Sequence, residues 1–175
     1  MENNVTIWLM FGIVLFIPVY TLILVRSFLK SMNQRDKIQA HAKNSHEMVK
    51  LRFQAYERFT LLLERTLPEA LILREQNPSM NGFTFHAHLL KVIRHEFNHN
   101  LAMQIYISPE TWDKIKLAKD KLLTLINSSA AQLTPDSYAL ELGKMIIEDA
   151  PNETNLYFRD AVNAIRDEME EFYKI

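Results

Sequence analysis

The residues whose types and spacing could support catalysis are two histidines and a glutamate in the segment HEFNH, positions 95–99. His95 and His99 are four residues apart, so on a helix they share one face and can bind the same zinc ion. Glu96 lies between them and is the residue type that acts as general base towards zinc-bound water. One hypothesis is therefore a zinc hydrolase in which Glu96 is catalytic and the histidines bind the metal.

A catalytic zinc site also needs a third protein ligand, and the sequence shows none at a recognisable spacing. The extended zinc-protease pattern requires glycine at position 102 and histidine at position 105, where this chain has Ala102 and Ile105. His88 is two helical turns before the motif, too far for one tetrahedral site on an unbroken helix. Glu141 or Glu148 could supply a ligand, but no local pattern selects either. The sequence therefore favours a structural or interface helix without metal or cofactor.

The element that must position this motif is a long helix, predicted from about Thr84 to Tyr106. At 100° per residue, the histidines fall within one narrow stripe, and the apolar residues lie on the other side of the helix. These apolar residues are Leu89, Leu90, Ile93, Phe97 and Leu101. We therefore expect the histidine side to face solvent, a cleft or a partner.

A longer pattern surrounds the motif and reads IR-x-EF-x-HN…QIYIS…W between positions 93 and 112. It resembles a group of uncharacterised single-pass membrane proteins from Bacteroidota, a family with no established activity. The resemblance implies a membrane-anchored architecture and little about chemistry. The first histidine of the HEFNH segment, His95, is not part of the family pattern. The positions on which the pattern centres are Arg94, Glu96, Phe97, Asn100 and Gln104.

We interpret this pattern as structural or as part of an interface. Arg94 and Glu96 are expected to form ion pairs or hydrogen bonds. Asn100 and Gln104, four residues apart, can hydrogen-bond along the helix or to a neighbouring backbone. Two aromatic residues flank the next turn and are either core anchors or interface residues, with the core favoured. The full candidate set is Arg94, Glu96, Phe97, Asn100, Gln104, Tyr106 and Trp112.

The stretch Thr6–Val25 contains twenty residues without a charge. As a helix it would be about 30 Å long, the thickness of the hydrocarbon core of a bilayer. A cleaved signal peptide fits less well, because no basic residue precedes the stretch and no small-residue cleavage site follows it. All 20 Lys and Arg residues lie after it, which predicts an external N-terminus and a cytoplasmic C-terminal domain in the bacterial inner membrane.

Charge is distributed unevenly after this stretch. Residues 26–65 carry nine bases and four acids, a net charge of +5, whereas residues 110–175 carry eight bases and thirteen acids, a net charge of −5. Basic residues close to the bilayer attract anionic lipid head groups, although a topology signal alone explains them equally well. Without a strong overall basic excess, we expect no nucleic-acid partner. The candidate lipid-facing residues are Arg26, Lys30, Arg35 and Lys37.

The rest of the chain predicts an all-α fold of five or six helices, because it has three glycines and no strand pattern. Capping signals and prolines divide it at Thr66–Glu69, Asn77–Gly82, Ser108–Glu110, Thr134–Asp136 and Pro151–Asn152. Helices are expected over about 109–126, 134–149 and 154–173. Four segments follow: an external N-terminus at 1–5, a transmembrane helix at 6–25, a basic stalk at 26–47 and a cytoplasmic domain at 48–175.

Taken together, these features favour a membrane-anchored helical interaction module that serves as an accessory or assembly subunit of a larger inner-membrane complex. Its expected partners are the lipid bilayer and other membrane-protein subunits. The zinc hydrolase is the alternative. A further alternative is a homo-oligomeric scaffold that associates through the stalk and an apolar stripe, which comprises Val49, Phe53, Tyr56, Thr60 and Leu63.

Overall fold

The computed structural model describes residues 20–22, 24–28, 30, 32 and 45–173. The chain divides into two compact units, Met1–Val49 and Lys50–Ile175. In the first unit, every described residue is helical. The predicted external N-terminus, most of the predicted transmembrane helix and most of the stalk lie outside the described residues. Among the residues that are described, no helix is both long enough and apolar enough to cross a bilayer.

The second unit is built from α-helices, which confirms the predicted all-α class. Helix α1 is the part of the helical stretch 45–66 that belongs to this unit, residues 50–66. The others are α2 (Pro68–Glu75), α3 (Gly82–Asn100), α4 (Pro109–Ala130), α5 (Ala139–Asp149) and α6 (Thr154–Tyr173), with 3₁₀ helices at Leu101–Tyr106 and Ala150–Asn152. The predicted bounds of the last helix agree with the structure.

Two helix starts follow the expected capping chemistry. The side chain of Asn81 accepts a hydrogen bond from the Thr84 amide at 2.8 Å, which starts α3 at Gly82. The hydroxyl of Ser108 accepts from the Thr111 amide at 3.1 Å, with a proline at the first helical position of α4. Both side chains satisfy backbone donors that have no partner within the helix. The prolines and polar residues therefore mark these two boundaries correctly.

Two other predicted boundaries are wrong. Thr66 does not cap α2, because it is still helical and its hydroxyl donates to the Leu62 carbonyl at 2.7 Å. Thr134 does not open a helix either, because its amide donates to the Ser137 hydroxyl at 3.1 Å in a turn. Helix α5 therefore begins five residues later than its predicted start, at Ala139, and α4 continues past its predicted end to Ala130.

The long middle helix also differs from the prediction, because α3 ends at Asn100 and continues as a 3₁₀ helix to Tyr106. The side chain of Asn100 is buried and donates to the Glu96 carbonyl at 2.9 Å. Such a side-chain bond competes with the backbone for the same acceptor and favours a helix end. The tighter turn moves Leu101, which was expected on the apolar face, to an exposed position.

The core lies where α4 packs against α3, α5 and α6, and where α5 packs against α2 and α3. Helix α1 contributes Tyr56, Phe59, Leu62 and Leu63 to the same buried cluster. Part of the apolar stripe on α1 therefore packs within its own domain. Hydrocarbon burial of this kind is the main favourable term in folding.

The loops that precede α3 and α5 are joined to each other. The Gly82 amide donates to the Ser137 carbonyl at 2.8 Å, and the Ala139 amide donates to the Met80 carbonyl at 3.2 Å. Any other residue at Gly82 would crowd these contacts, because its Cβ atom would lie 3.3 Å from the Ser137 carbonyl oxygen. The first turn of α3 is thus held against the first turn of α5.

Candidate functional site

The histidines of the HEFNH segment line a cleft between α1 and α3. The cleft has a volume of about 620 Å³ and contains charged residues from both helices. Its lining consists of Gln54, Glu57, Arg58, Leu61, Leu62 and Arg65 from α1 and of His95, Glu96, His99 and Asn100 from α3. The two acids and the two arginines give this lining a balanced formal charge.

The two histidines of the motif lie side by side and are exposed. The centres of the His95 and His99 rings are 6.4 Å apart, and the ring planes differ by 28°. On the other side of the helix, Leu89, Ile93 and Phe97 are buried. The spacing therefore separates a histidine side from an apolar side, as expected for a regular helix.

Glu96 is bound by arginine and does not point freely into the cleft. Arg65 of α1 donates to one carboxylate oxygen of Glu96 through Nε at 3.0 Å and through Nη2 at 2.7 Å. Arg74 of α2 brings its Nη2 to within 3.9 Å of the same oxygen. A general base must reach the water from which it takes a proton. In this geometry, one oxygen of the carboxylate is already engaged in joining α1 to α3.

A further set of charged groups extends this ion pair to the middle of α3. Arg74 donates from Nε to Glu75 at 2.7 Å and from Nη1 to the Arg65 carbonyl at 2.8 Å. The other oxygen of Glu75 is hydrogen-bonded to His88 Nε2 at 2.8 Å. These contacts connect the end of α1, the end of α2 and the middle of α3. His88 is thereby paired outside the cleft lining.

The environment of Glu75 shifts its acidity. Burial by itself raises the pKa of this carboxyl group, but hydrogen bonds from Arg74 and His88 and the charges of both residues act in the opposite direction. The net result is a pKa below the ordinary value, because the ionised carboxylate is the better hydrogen-bond acceptor. The ionised form of Glu75 therefore contributes to the link between α2 and α3.

Within the described part of the chain, no three histidine, aspartate or glutamate side chains are arranged to hold a metal ion together. Glu141 and Glu148, considered as distant ligands, belong to α5 and are not among the residues that line the cleft. The geometry of the cleft thus offers two neighbouring imidazoles, but no tetrahedral set of protein ligands.

The remaining pattern residues have different positions. Phe97 is buried, and the ammonium group of Lys119 lies 5.6 Å from its ring centre. Arg94 is exposed and lines a separate, smaller cleft of about 320 Å³ between α3 and α4. Gln104 is half-buried in the 3₁₀ helix, where its carbonyl accepts from the Ile107 amide. The pattern therefore does not converge on one point in space.

The two aromatic residues of the pattern pack against the core. Tyr106 and Trp112 are half-buried beside the buried cluster. The Trp112 ring lies 5.5 Å from the ring of Phe59 in α1, with an interplanar angle of 45°. A tilted aromatic pair at this distance stabilises packing beyond the area it buries.

The residues that complete these contacts were missed by sequence reasoning. Arg65 and Arg74 bind Glu96 from two other helices, and Glu168 of α6 accepts hydrogen bonds from Ser108 and Tyr56. Each partner is between 22 and 112 positions away in the chain, so no local spacing could identify it. Of the candidate lipid-facing residues, Arg26 and Lys30 are helical and exposed, whereas Arg35 and Lys37 lie outside the described residues.

Comparison with known proteins places residues 3–172 in a family of unknown function (DUF7935). Because the match covers nearly the whole chain, the protein belongs to this family. No curated protein and no solved structure matches the chain.

Proposed function

We propose that this member of a family of unknown function is a membrane-anchored helical interaction module, an accessory or assembly subunit of a larger inner-membrane complex. The uncharged stretch at 6–25 would anchor it, and residues 48–175 would form its cytoplasmic part. The resemblance to single-pass membrane proteins of Bacteroidota supports this architecture. The basic residues that follow the stretch, beginning with Arg26 and Lys30, support the orientation.

The observation that carries this proposal is the corner at which α3 becomes a 3₁₀ helix. Three pattern residues hold it: Glu96 through its ion pair, Phe97 through burial, and Asn100 through its bond to the Glu96 carbonyl. Immediately after them, Leu101 is 45% exposed and Ile105 is 73% exposed. The pattern stretch thus ends at a corner that leaves two large apolar side chains exposed.

Such a corner is suited to a protein partner. Large apolar side chains that are exposed on a helical backbone can contribute to binding without the cost of ordering a flexible loop. The partner that we propose is the apolar cytoplasmic surface of another membrane-protein subunit, which the anchor would hold nearby. Tethering two proteins to one membrane raises their effective concentration, so a small contact is sufficient.

The test is native purification of the full chain in a mild detergent, followed by identification of the chains that co-purify. We expect a defined membrane-protein partner in stoichiometric amount. Leu101→Glu and Ile105→Glu should each reduce the recovered partner several-fold, because a charge would have to be buried in the contact. Leu117→Glu on α4 is the matched control, since Leu117 is 44% exposed, and this variant should retain the partner.

Two results would contradict the proposal. If the chain is purified alone from membranes of the organism that produces it, the proposed partner does not exist under those conditions and the proposal is wrong. Equal loss of the partner in the Leu117 control and in the corner variants would show that any new surface charge disrupts the complex. In that case the corner would not be the contact.

A further inference from the structure

We infer that the cleft between α1 and α3 binds a divalent transition-metal ion through His95 and His99. The site would be a surface chelate of two imidazoles, distinct from the three-ligand catalytic zinc site. This inference goes beyond the proposed interaction function and does not depend on it.

The arrangement of the two rings supports a shared ion. His95 and His99 project from successive turns of α3, and their ring centres are 6.4 Å apart with nearly parallel planes. With metal–nitrogen bonds of about 2.0–2.1 Å, two imidazoles on one ion at a right or tetrahedral angle have ring centres roughly 4.5–5 Å apart. The observed rings are further apart than this, so the two exposed side chains would rotate towards each other to bind one ion.

The surroundings of the rings determine which ions fit. Neutral imidazole is a ligand for copper, nickel and zinc, whereas magnesium and calcium prefer oxygen ligands. The nearest carboxylate in sequence, that of Glu96, is engaged by Arg65. Gln54 and Glu57 of α1 line the opposite wall of the cleft. Two nitrogen ligands in an open cleft leave the remaining coordination positions to water.

The other histidines of α3 are engaged elsewhere. His86 is hydrogen-bonded to the Asn127 side chain at 2.9 Å, and His88 is hydrogen-bonded to Glu75 at 2.8 Å. An ion would have to break these contacts to use either ring. Among the described histidines, His95 and His99 are therefore the pair that is both adjacent and exposed.

The experiment uses the full chain in detergent, purified without a polyhistidine tag, and titrates it with nickel chloride in a calorimeter. We expect saturation at one Ni²⁺ per chain and no heat of binding with magnesium chloride. His95→Ala and His99→Ala should each weaken nickel binding at least about 10-fold, because the chelate becomes a single ligand. His86→Ala is the matched control on the same helix and should bind nickel as the unmodified chain does.

A second measurement identifies the ligands directly. Paramagnetic resonance of the Cu²⁺-loaded chain should show coupling to two imidazole nitrogens, and to one in each single variant. Nickel binding that persists in the double variant His95→Ala/His99→Ala would overturn the inference, as would failure of the unmodified chain to bind. Circular dichroism checks that the variants remain folded. The Leu101→Glu variant should lose the protein partner but bind nickel as the unmodified chain does. The interaction proposal and the metal-binding inference can therefore fail independently of each other.

Discussion

The carboxylate of Glu168 in α6 binds the residue that starts α4, Ser108. The Ser108 amide donates to one carboxylate oxygen at 2.9 Å, and its hydroxyl donates to the other at 2.8 Å. An anion at a helix N-terminus is stabilised by unpaired backbone amides and by the helix dipole. Tyr56 of α1 donates to the same carboxylate at 3.2 Å, so one side chain connects three helices.

We expect Glu168→Gln to lower the free energy of unfolding by about 1–3 kcal/mol, because charge-assisted hydrogen bonds to a half-buried acceptor are weakened. Urea denaturation followed by circular dichroism measures the effect. Glu171→Gln on the exposed side of α6 is the control and should change stability by less than about 0.5 kcal/mol. Equal effects in both variants would contradict the role assigned to Glu168.

Phe97→Ala should cost about 3–5 kcal/mol of unfolding free energy, since the ring is only 7% exposed and its removal leaves a cavity. The matched control is Phe83→Ala on the same helix, where the ring is 49% exposed and the expected cost is smaller. Chemical denaturation of both variants makes the comparison. A Phe83 variant that is the less stable of the two would show that the burial pattern of α3 is wrong.

Glu96→Gln should cost less than Phe97→Ala, at about 1 kcal/mol or below, because its main partner Arg65 is exposed and the pair is screened by water. The control is Glu57→Gln, an exposed residue of the same cleft, which should change the free energy of unfolding less than Glu96→Gln does. The zinc-hydrolase alternative makes a different prediction, namely hydrolytic activity of the zinc-loaded chain that Glu96→Gln abolishes while the fold stays intact. Hydrolase assays of the zinc-loaded chain and of this variant decide between them.

Glu75 predicts a dependence of stability on pH. Because its folded-state pKa lies below the ordinary value of 4.5, the ionised form stabilises the fold above about pH 4.5. This contribution is lost as the pH falls through the folded-state pKa. We therefore expect the stability difference between the unmodified chain and Glu75→Gln to shrink on acidification. A stability difference that stays constant from pH 7 to pH 3 would contradict this role. The control is Glu64→Gln, at an exposed position, for which we expect no such change with pH.

The predicted topology can be tested by labelling, because the chain contains no cysteine of its own. A cysteine at Asn3 should react with an impermeant thiol reagent in intact cells. A cysteine at Ser128, an exposed residue of α4, should react only after the membrane is opened. Reaction of the Ser128 variant in intact cells would place the helical domain outside and refute the orientation derived from the basic residues.

The sequence by itself determined the features that depend on contacts within about four residues. Periodicity predicted the all-α class, and α6 begins and ends where its pattern does. The caps at Asn81 and Ser108 follow from side chains that reach their own backbone. The separation of His95 from the apolar side of α3 follows from helical geometry alone.

Only the tertiary structure decided which helices are neighbours, and most of the candidate site depends on that. Arg65 reaches Glu96 because α1 lies beside α3, and Glu168 reaches Ser108 because α6 lies beside α4. The late start of α5 has the same origin, because Ser137 forms a turn with Thr134 and a contact with Gly82 that no local pattern encodes. The sequence does not reveal an ion pair between distant residues, because a charged residue that will be paired looks the same as one that stays in solvent. Only the packing of the helices brings the two partners together.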